Sequence, residues 1–356
     1  MADASRRRFH ELDAFRGIAA LWVVLFHFVM RYQHADMPFV MQVPWAHSLD
    51  LGVRAWLPNF GIMPVAWFFM ISGFVMTWTL ERSRTWQDFA VSRAARLYPV
   101  YWAALAVVVV MDLLIPLPGQ RLTLLQCLVN LTMIQEIIGV PHLSGVFWSL
   151  TIELVFYVGM AALLRLGLIG HLHAICAIWV IACIGTQLLP LVGIEVFWRV
   201  QKYGLLIYGH FLIAGIMFYQ MWQGRRSAVA LLVIFLCLVS VALANTAVTS
   251  VVYALFFAMA WLAIRGHLAF LANPPLIWLG SISYALYVAH EGLGFRLMYG
   301  LESLGVPRLA SIAAAIAMSL VVADLLTRLV DPRGRRLVRA ALTRRPVPIP
   351  APAPDR

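Results

Sequence analysis

The stretch "FRGIAALWVVLFHF", residues 15–28, decides the fold. It is apolar enough to lie in hydrocarbon and long enough, with its neighbours, to cross a bilayer as a helix. It nevertheless carries Arg16 and His27. An ionisable group at membrane depth is costly unless it faces protein or a water-filled path, so both residues call for an explanation.

The same character extends outward along all 356 residues, which are 62% hydrophobic and 12% charged, with a mean hydropathy of +0.84. That balance excludes an ordinary soluble domain. The apolar runs are long and unbroken, unlike the short alternating strands of a barrel, so the expected fold is an all-α, polytopic transmembrane bundle. Apolar segments fall at 14–32, 61–80, 98–116, 122–140, 146–165, 172–192, 205–222, 228–245, 249–264, 276–298 and 309–330. The weakest, "LTLLQCLVNLTMIQEIIGV" at 122–140, holds Gln126, Asn130, Gln135 and Glu136, and reads as re-entrant, interfacial or buried in the bundle. Ten spans remain.

Arginines cluster at both ends, Arg6 to Arg8 and Arg333, Arg335, Arg336, Arg339, Arg344 and Arg345, which predicts two cytoplasmic termini and an even number of spans. With ten spans, Arg82, Arg84, Arg93, Arg96, Arg165, Arg225, Arg226 and Arg265 fall inside. Arg31, Arg54, Arg121, Arg199, Lys202 and Arg308 fall outside. This topology accounts for the net charge of +11 without nucleic acid as a partner. No small-residue cleavage site follows Arg6 to Arg8, so the first segment is expected to remain as a helix. Residues 1–330 form one membrane domain, and 331–356, ending "RRPVPIPAPAPDR", reads as a basic, Pro-rich disordered tail. The loop 33–60 carries His34, His47, Trp45 and Trp56, which either cap an outward-facing site or anchor the chain at the interface. Cys127, Cys176, Cys183 and Cys237 lie in apolar runs without zinc-site spacing and read as packing residues.

Arg16 and His27 are eleven residues apart, close to three helical turns, so an ideal helix puts them on nearly one face, roughly 16 Å apart, with Asp13 beside them. Taken singly, Arg16 reads equally well as a snorkelling anchor and His27 as a packing residue; together they suggest a lined path, with histidine the usual general base. In the segment 146–165, Glu153 lies roughly 10 Å below the outer surface, near the depth of His27. A carboxylate there would steady an imidazolium, or alternatively pair with an arginine or backbone donor. His290 and Glu291 reach a similar depth in "GSISYALYVAHEGLGF", where Ser281, Ser283, Tyr284 and Tyr287 offer His290 a hydrogen-bond network. No HExxH or comparable ligand spacing supports a metal site. Arg93 and Arg96, three residues apart at the inner end of the third span ahead of Pro99, suit a phosphate as well as they suit topology.

Four stretches, "LDAFRGIAALWVVLFH", "FFMISGFV", "RAARLYP" and "FWSLTIELVFY", together resemble the acyltransferase-3 family of integral membrane O-acyltransferases that modify bacterial surface and secreted carbohydrates. "GSISYALYVAHEG" resembles that family's late Ser-Tyr-x-x-Tyr-x-x-His stretch, and the matches run in order across residues 12–290. The resemblance implies that Arg16 and His27 are the family's R-x10-H pair, Arg93 and Arg96 its RxxR pair, and Glu153 its buried acid. It implies acyl-CoA, with acetyl-CoA the expected form, as co-substrate, a carbohydrate or lipid-linked glycan hydroxyl as acceptor, no permanently bound cofactor, and the bacterial inner membrane as location. In this reading His27 is the base, Glu153 its support, and Arg16, Arg93 and Arg96 bind the donor. Trp148, Ser149, Tyr284 and His290 serve the acceptor or a supporting network. A covalent acyl-His27 intermediate is an open alternative. From another class, a transporter or flippase of lipid-linked saccharides would use the same charged stripe, although no inverted repeat is visible.

Overall fold

The computed structural model describes residues 10–32, 60–225 and 227–343. The arginines at 6–8, the loop residues His34, Trp45, His47, Arg54 and Trp56, Arg226, and the Pro-rich end after 343 lie outside the described residues.

Among the described residues the secondary structure is helical, without strands. We number the α-helices α1 His10–Leu25, α2 Met63–Leu80, α3 Trp86–Leu114, α4 Leu124–Asn130, α5 Trp148–Arg165, α6 Leu172–Leu188, α7 Trp198–Tyr203, α8 Gly209–Trp222, α9 Ala228–Ala244, α10 Ala247–Ile264, α11 Pro274–Ser303, α12 Arg308–Leu325 and α13 Asp331–Leu342. Seven helical stretches among the described residues are long and apolar enough to cross a membrane. The other three expected spans correspond to α8, α9 and α11, of which α8 and α9 have only 14 and 17 residues and α11 carries His290, Glu291 and Arg296. The weak segment 122–140 contains only α4, seven residues long and too short to cross, followed by turns.

Close helix crossings at glycine set the frame. A Cβ on Gly17 would come within 2.7 Å of the Gly280 backbone nitrogen, and one on Gly280 would collide with the Asp13 carbonyl. The missing side chains let α1 and α11 pack backbone to backbone, the small-residue contact that replaces hydrophobic drive inside a membrane. Gly73 and Gly215 form the equivalent crossing between α2 and α8. Because α1 and α11 run parallel, the ten residues from Gly17 to His27 and the ten from Gly280 to His290 raise both histidines to the same level.

Two expectations need correction. The third span, expected over 98–116, begins already at Trp86, where Thr85 and Asp88 form a capping box, so Pro99 lies inside α3. Arg93 and Arg96 therefore stand two to three turns into the helix. The tail read as disordered from 331 is instead helical over Asp331–Leu342, with Pro332 in its first turn. Gly334 packs against Pro99, and Asp331 accepts from Arg335 at 2.7 and 2.6 Å and lies 3.5 Å from Arg96.

Candidate active site

His27 lies in a π-helical turn, Phe26–Arg31, that continues α1, with the Tyr32 N–H donating to the His27 carbonyl at 2.8 Å. Such a wide turn re-aims side chains and recurs at functional sites. The His27 imidazole meets His290, with Nδ1 3.3 Å from the His290 Nε2 and 2.8 Å from the Val23 carbonyl.

The hydrogen bonds fix the tautomers of the neutral rings. His290 Nδ1 faces the carbonyls of Leu286 and Tyr287 at 3.0 and 2.9 Å, both acceptors, so it carries the proton and leaves Nε2 to accept. His27 Nδ1, facing Val23 and His290, must then be a donor. His27 Nε2 keeps its lone pair and stands 3.8 Å from Glu291 Oε1. The three side chains do not converge on one point, and among the described residues no group of three or more His, Cys, Asp or Glu is arranged to hold a metal ion.

Glu291 is held from the other side. Ser144 Oγ donates to it at 2.6 Å and the Val146 N–H at 3.0 Å, both from the turn that leads into α5. Gly145 makes room, since a Cβ there would lie 2.8 Å from Glu291 Oε1. The carboxylate facing His27 is thus Glu291, whereas the sequence pointed to Glu153. Glu153 instead accepts from Tyr157 and, at 3.3 Å, from Ser72 Oγ. Glu291 is held at the very start of α5, whereas Glu153 stands seven residues beyond Val146, about two turns further along that helix, among the arginines.

Glu153 belongs to a narrow cavity of about 100 Å³ whose walls include Arg16, Arg93, Arg96, Ser72 and Tyr157. Arg16 lies 4.0 Å from Asp13. Arg93 donates to Ser92 and to Met76, while its buried Nε makes no hydrogen bond. Arg96 lies over the ring of Tyr284, whose hydroxyl donates to the Leu97 carbonyl at 2.9 Å. Tyr284 is thus part of the cavity's support. Tyr287 and Ser149 line the same cavity and are hydrogen-bonded to each other at 2.6 Å. Tyr287 also supplies the carbonyl that holds His290, so this tyrosine joins the arginine cavity to the histidine pair. Trp148 lies apart, its ring 5.3 Å from that of Tyr208 and 5.6 Å from Lys202 Nζ.

A half-buried histidine with a ring-nitrogen lone pair beside a carboxylate, next to a cavity lined by three arginines, suits transfer of a group from an anionic donor. The acyltransferase-3 family model, described as an acyltransferase domain, matches residues 9–328. The chain belongs to the acyltransferase-3 family. The family membership expected from the motifs is borne out. It is also 31% identical over 145 residues to Nodulation protein 10 of Rhizobium leguminosarum bv. viciae, a match covering 34% of this chain and 39% of that protein. No solved structure matches.

Within this family member, the motif residues Arg16, Arg93, Arg96 and Glu153 meet in the cavity, while His27 and His290 meet beside it. Reasoning from sequence missed Ser144, Gly145, Tyr157 and the pairing role of Glu291. Glu291 had the sharpest signal, a carboxylate next to a histidine in an apolar run.

Proposed function

We propose that this acyltransferase moves an acyl group, in the first instance acetyl, from acyl-CoA to a hydroxyl of an envelope carbohydrate in the bacterial inner membrane, with both termini cytoplasmic. The observation that carries the reading is His27 Nε2, left as a lone pair by its neighbours and facing Glu291. His27 Nε2 takes the proton of the acceptor hydroxyl as its oxygen attacks the thioester carbonyl. The resulting imidazolium is stabilised by Glu291. Collapse of the tetrahedral intermediate breaks the carbon–sulfur bond, and the thiolate of CoA leaves with the proton from His27. The ester and free CoA balance the reaction.

The donor side follows from charge. Guanidinium groups suit phosphates, so Arg93, Arg96 and Arg16 hold the anionic end of CoA, and the slender arm extends through the cavity toward Tyr287 and Ser149. Glu153 and Tyr157 act on this side, ordering the arginines.

The test supplies labelled acetyl-CoA to the purified protein in nanodiscs and follows CoA release with and without glycan. The expected result is glycan-stimulated release that falls about 10²- to 10⁴-fold in His27→Ala, the range for losing a general base. Transfer at the wild-type rate in that variant would remove His27 from the chemistry. Glycan movement across sealed vesicles without CoA release would favour transport.

A further inference from the structure

A second cluster of polar groups lies outside the arginine cavity. Glu136, in the loop after α4, contacts Lys202 of α7 and lies 3.3 Å from His142 Nε2. Gln135 Nε2 is 2.8 Å from His142 Nδ1. Lys202 Nζ sits 5.6 and 5.7 Å from the rings of Trp148 and Trp198, and Trp198 remains 48% exposed. Carboxylate, imidazole, amide and ammonium groups thus gather beside an open indole.

The loop carrying this cluster is the one that holds Glu291. Buried Asn130 fixes it by donating to the Pro141 carbonyl at 3.0 Å and accepting from the Leu143 N–H at 3.1 Å. Two residues beyond His142, Ser144 reaches Glu291. The loop therefore runs directly from the rim to the His27–Glu291 pair. Non-glycine backbones in the left-handed region occur on both sides of the cluster, Met133 at φ 64° and Leu205 at φ 57°. Such strain persists where surrounding structure enforces it and gathers at ligand sites.

We infer that the rim formed by Glu136, His142, Lys202 and Trp198 binds the saccharide acceptor and presents its hydroxyl to His27, an inference that rests on the carbohydrate acceptor proposed above. Sugar hydroxyls both donate and accept, which matches a mixed set of carboxylate, imidazole and ammonium partners. The apolar C–H face of a pyranose needs a flat apolar partner, which the exposed indole of Trp198 supplies. The acceptor approaches from this rim and the donor from the arginine cavity, so the two substrates need not compete for one route.

The experiment measures acetyl transfer in nanodiscs, using as probe the saccharides released by mild acid from envelopes of the source cells. Trp198→Ala and Lys202→Met should raise the half-saturating saccharide concentration about tenfold. KM for acetyl-CoA and saccharide-independent CoA release should stay within twofold. Trp198→Phe, which keeps an aromatic face, should recover most of the affinity. Unchanged saccharide dependence in both variants, or equal damage to donor and saccharide dependence, would overturn the inference. If wild-type protein releases CoA through His27 but the saccharides never stimulate it, the rim and the carbohydrate acceptor both fail while the donor chemistry stands. If His27→Ala leaves CoA release intact, the proposed chemistry itself fails.

Discussion

At the scale of single residues, Arg16 and His27 stand in two different settings, as the sequence reading expected of them. His27 and Arg16 share a helix, yet Arg16 faces the cavity with Arg93 and Arg96, and His27 turns to His290 and Glu291. Arg16 and His27 were legible because charged groups in an apolar run stand out against the solvent they must avoid. The partner of His27 was not, because hydropathy gives depth and carries no information about which helices adjoin. Arg93 offers a direct check of the donor side. Arg93→Lys keeps the charge but loses the planar fork, so KM for acetyl-CoA should rise about tenfold while kcat changes little. Initial rates over a range of acetyl-CoA concentrations measure this, and a fall confined to kcat would place Arg93 in the chemistry.

At the scale of elements, the crossing of α1 and α11 is what brings His27 to His290. The two glycines set the distance between backbones, and equal spacing from each glycine sets the level. Gly280→Ala should push α11 from α1 and destabilise the protein by about 1–3 kcal/mol, the usual cost of overpacking. Gly159, with open space around it, provides the control and should tolerate alanine. Thermal unfolding in detergent distinguishes them, and equal stability of the two variants would show that the crossing does not limit packing. Two features of these elements escaped the sequence. The first turns of α3 are polar enough to be cut from an apolar window, although the Thr85–Asp88 cap marks their true beginning. The helix α13 is basic and only amphipathic, so its order comes from Asp331, Arg335 and the contact of Gly334 with Pro99.

At the scale of the whole molecule, the fold was largely legible, since each strongly apolar segment proposed from sequence corresponds to a helix. Burial of apolar surface in a bilayer is a local, additive preference, whereas pairing between helices depends on the complete packing. The ten spans expected from sequence would put the turn at Ser83 and the end at Thr343 on one side, and Gly193 and Leu304 on the other. Single cysteines introduced at Ser83 and Thr343, after replacement of the four native cysteines, should react with an impermeant maleimide only in inverted vesicles. Cysteines at Gly193 and Leu304 should react in intact spheroplasts. Labelling of Ser83→Cys and Gly193→Cys from the same side would break the topology.

The proposed division into a donor cavity and a reacting pair assigns different roles to two glutamates. Glu291→Gln and Glu153→Gln, assayed side by side for acetyl transfer, test which one serves His27. Glu291→Gln should lower kcat by at least about 100-fold while KM for acetyl-CoA moves little, because the imidazolium loses its counter-charge. Glu153→Gln should chiefly raise KM for acetyl-CoA. Loss of kcat in Glu153→Gln with near-normal turnover in Glu291→Gln would contradict the account.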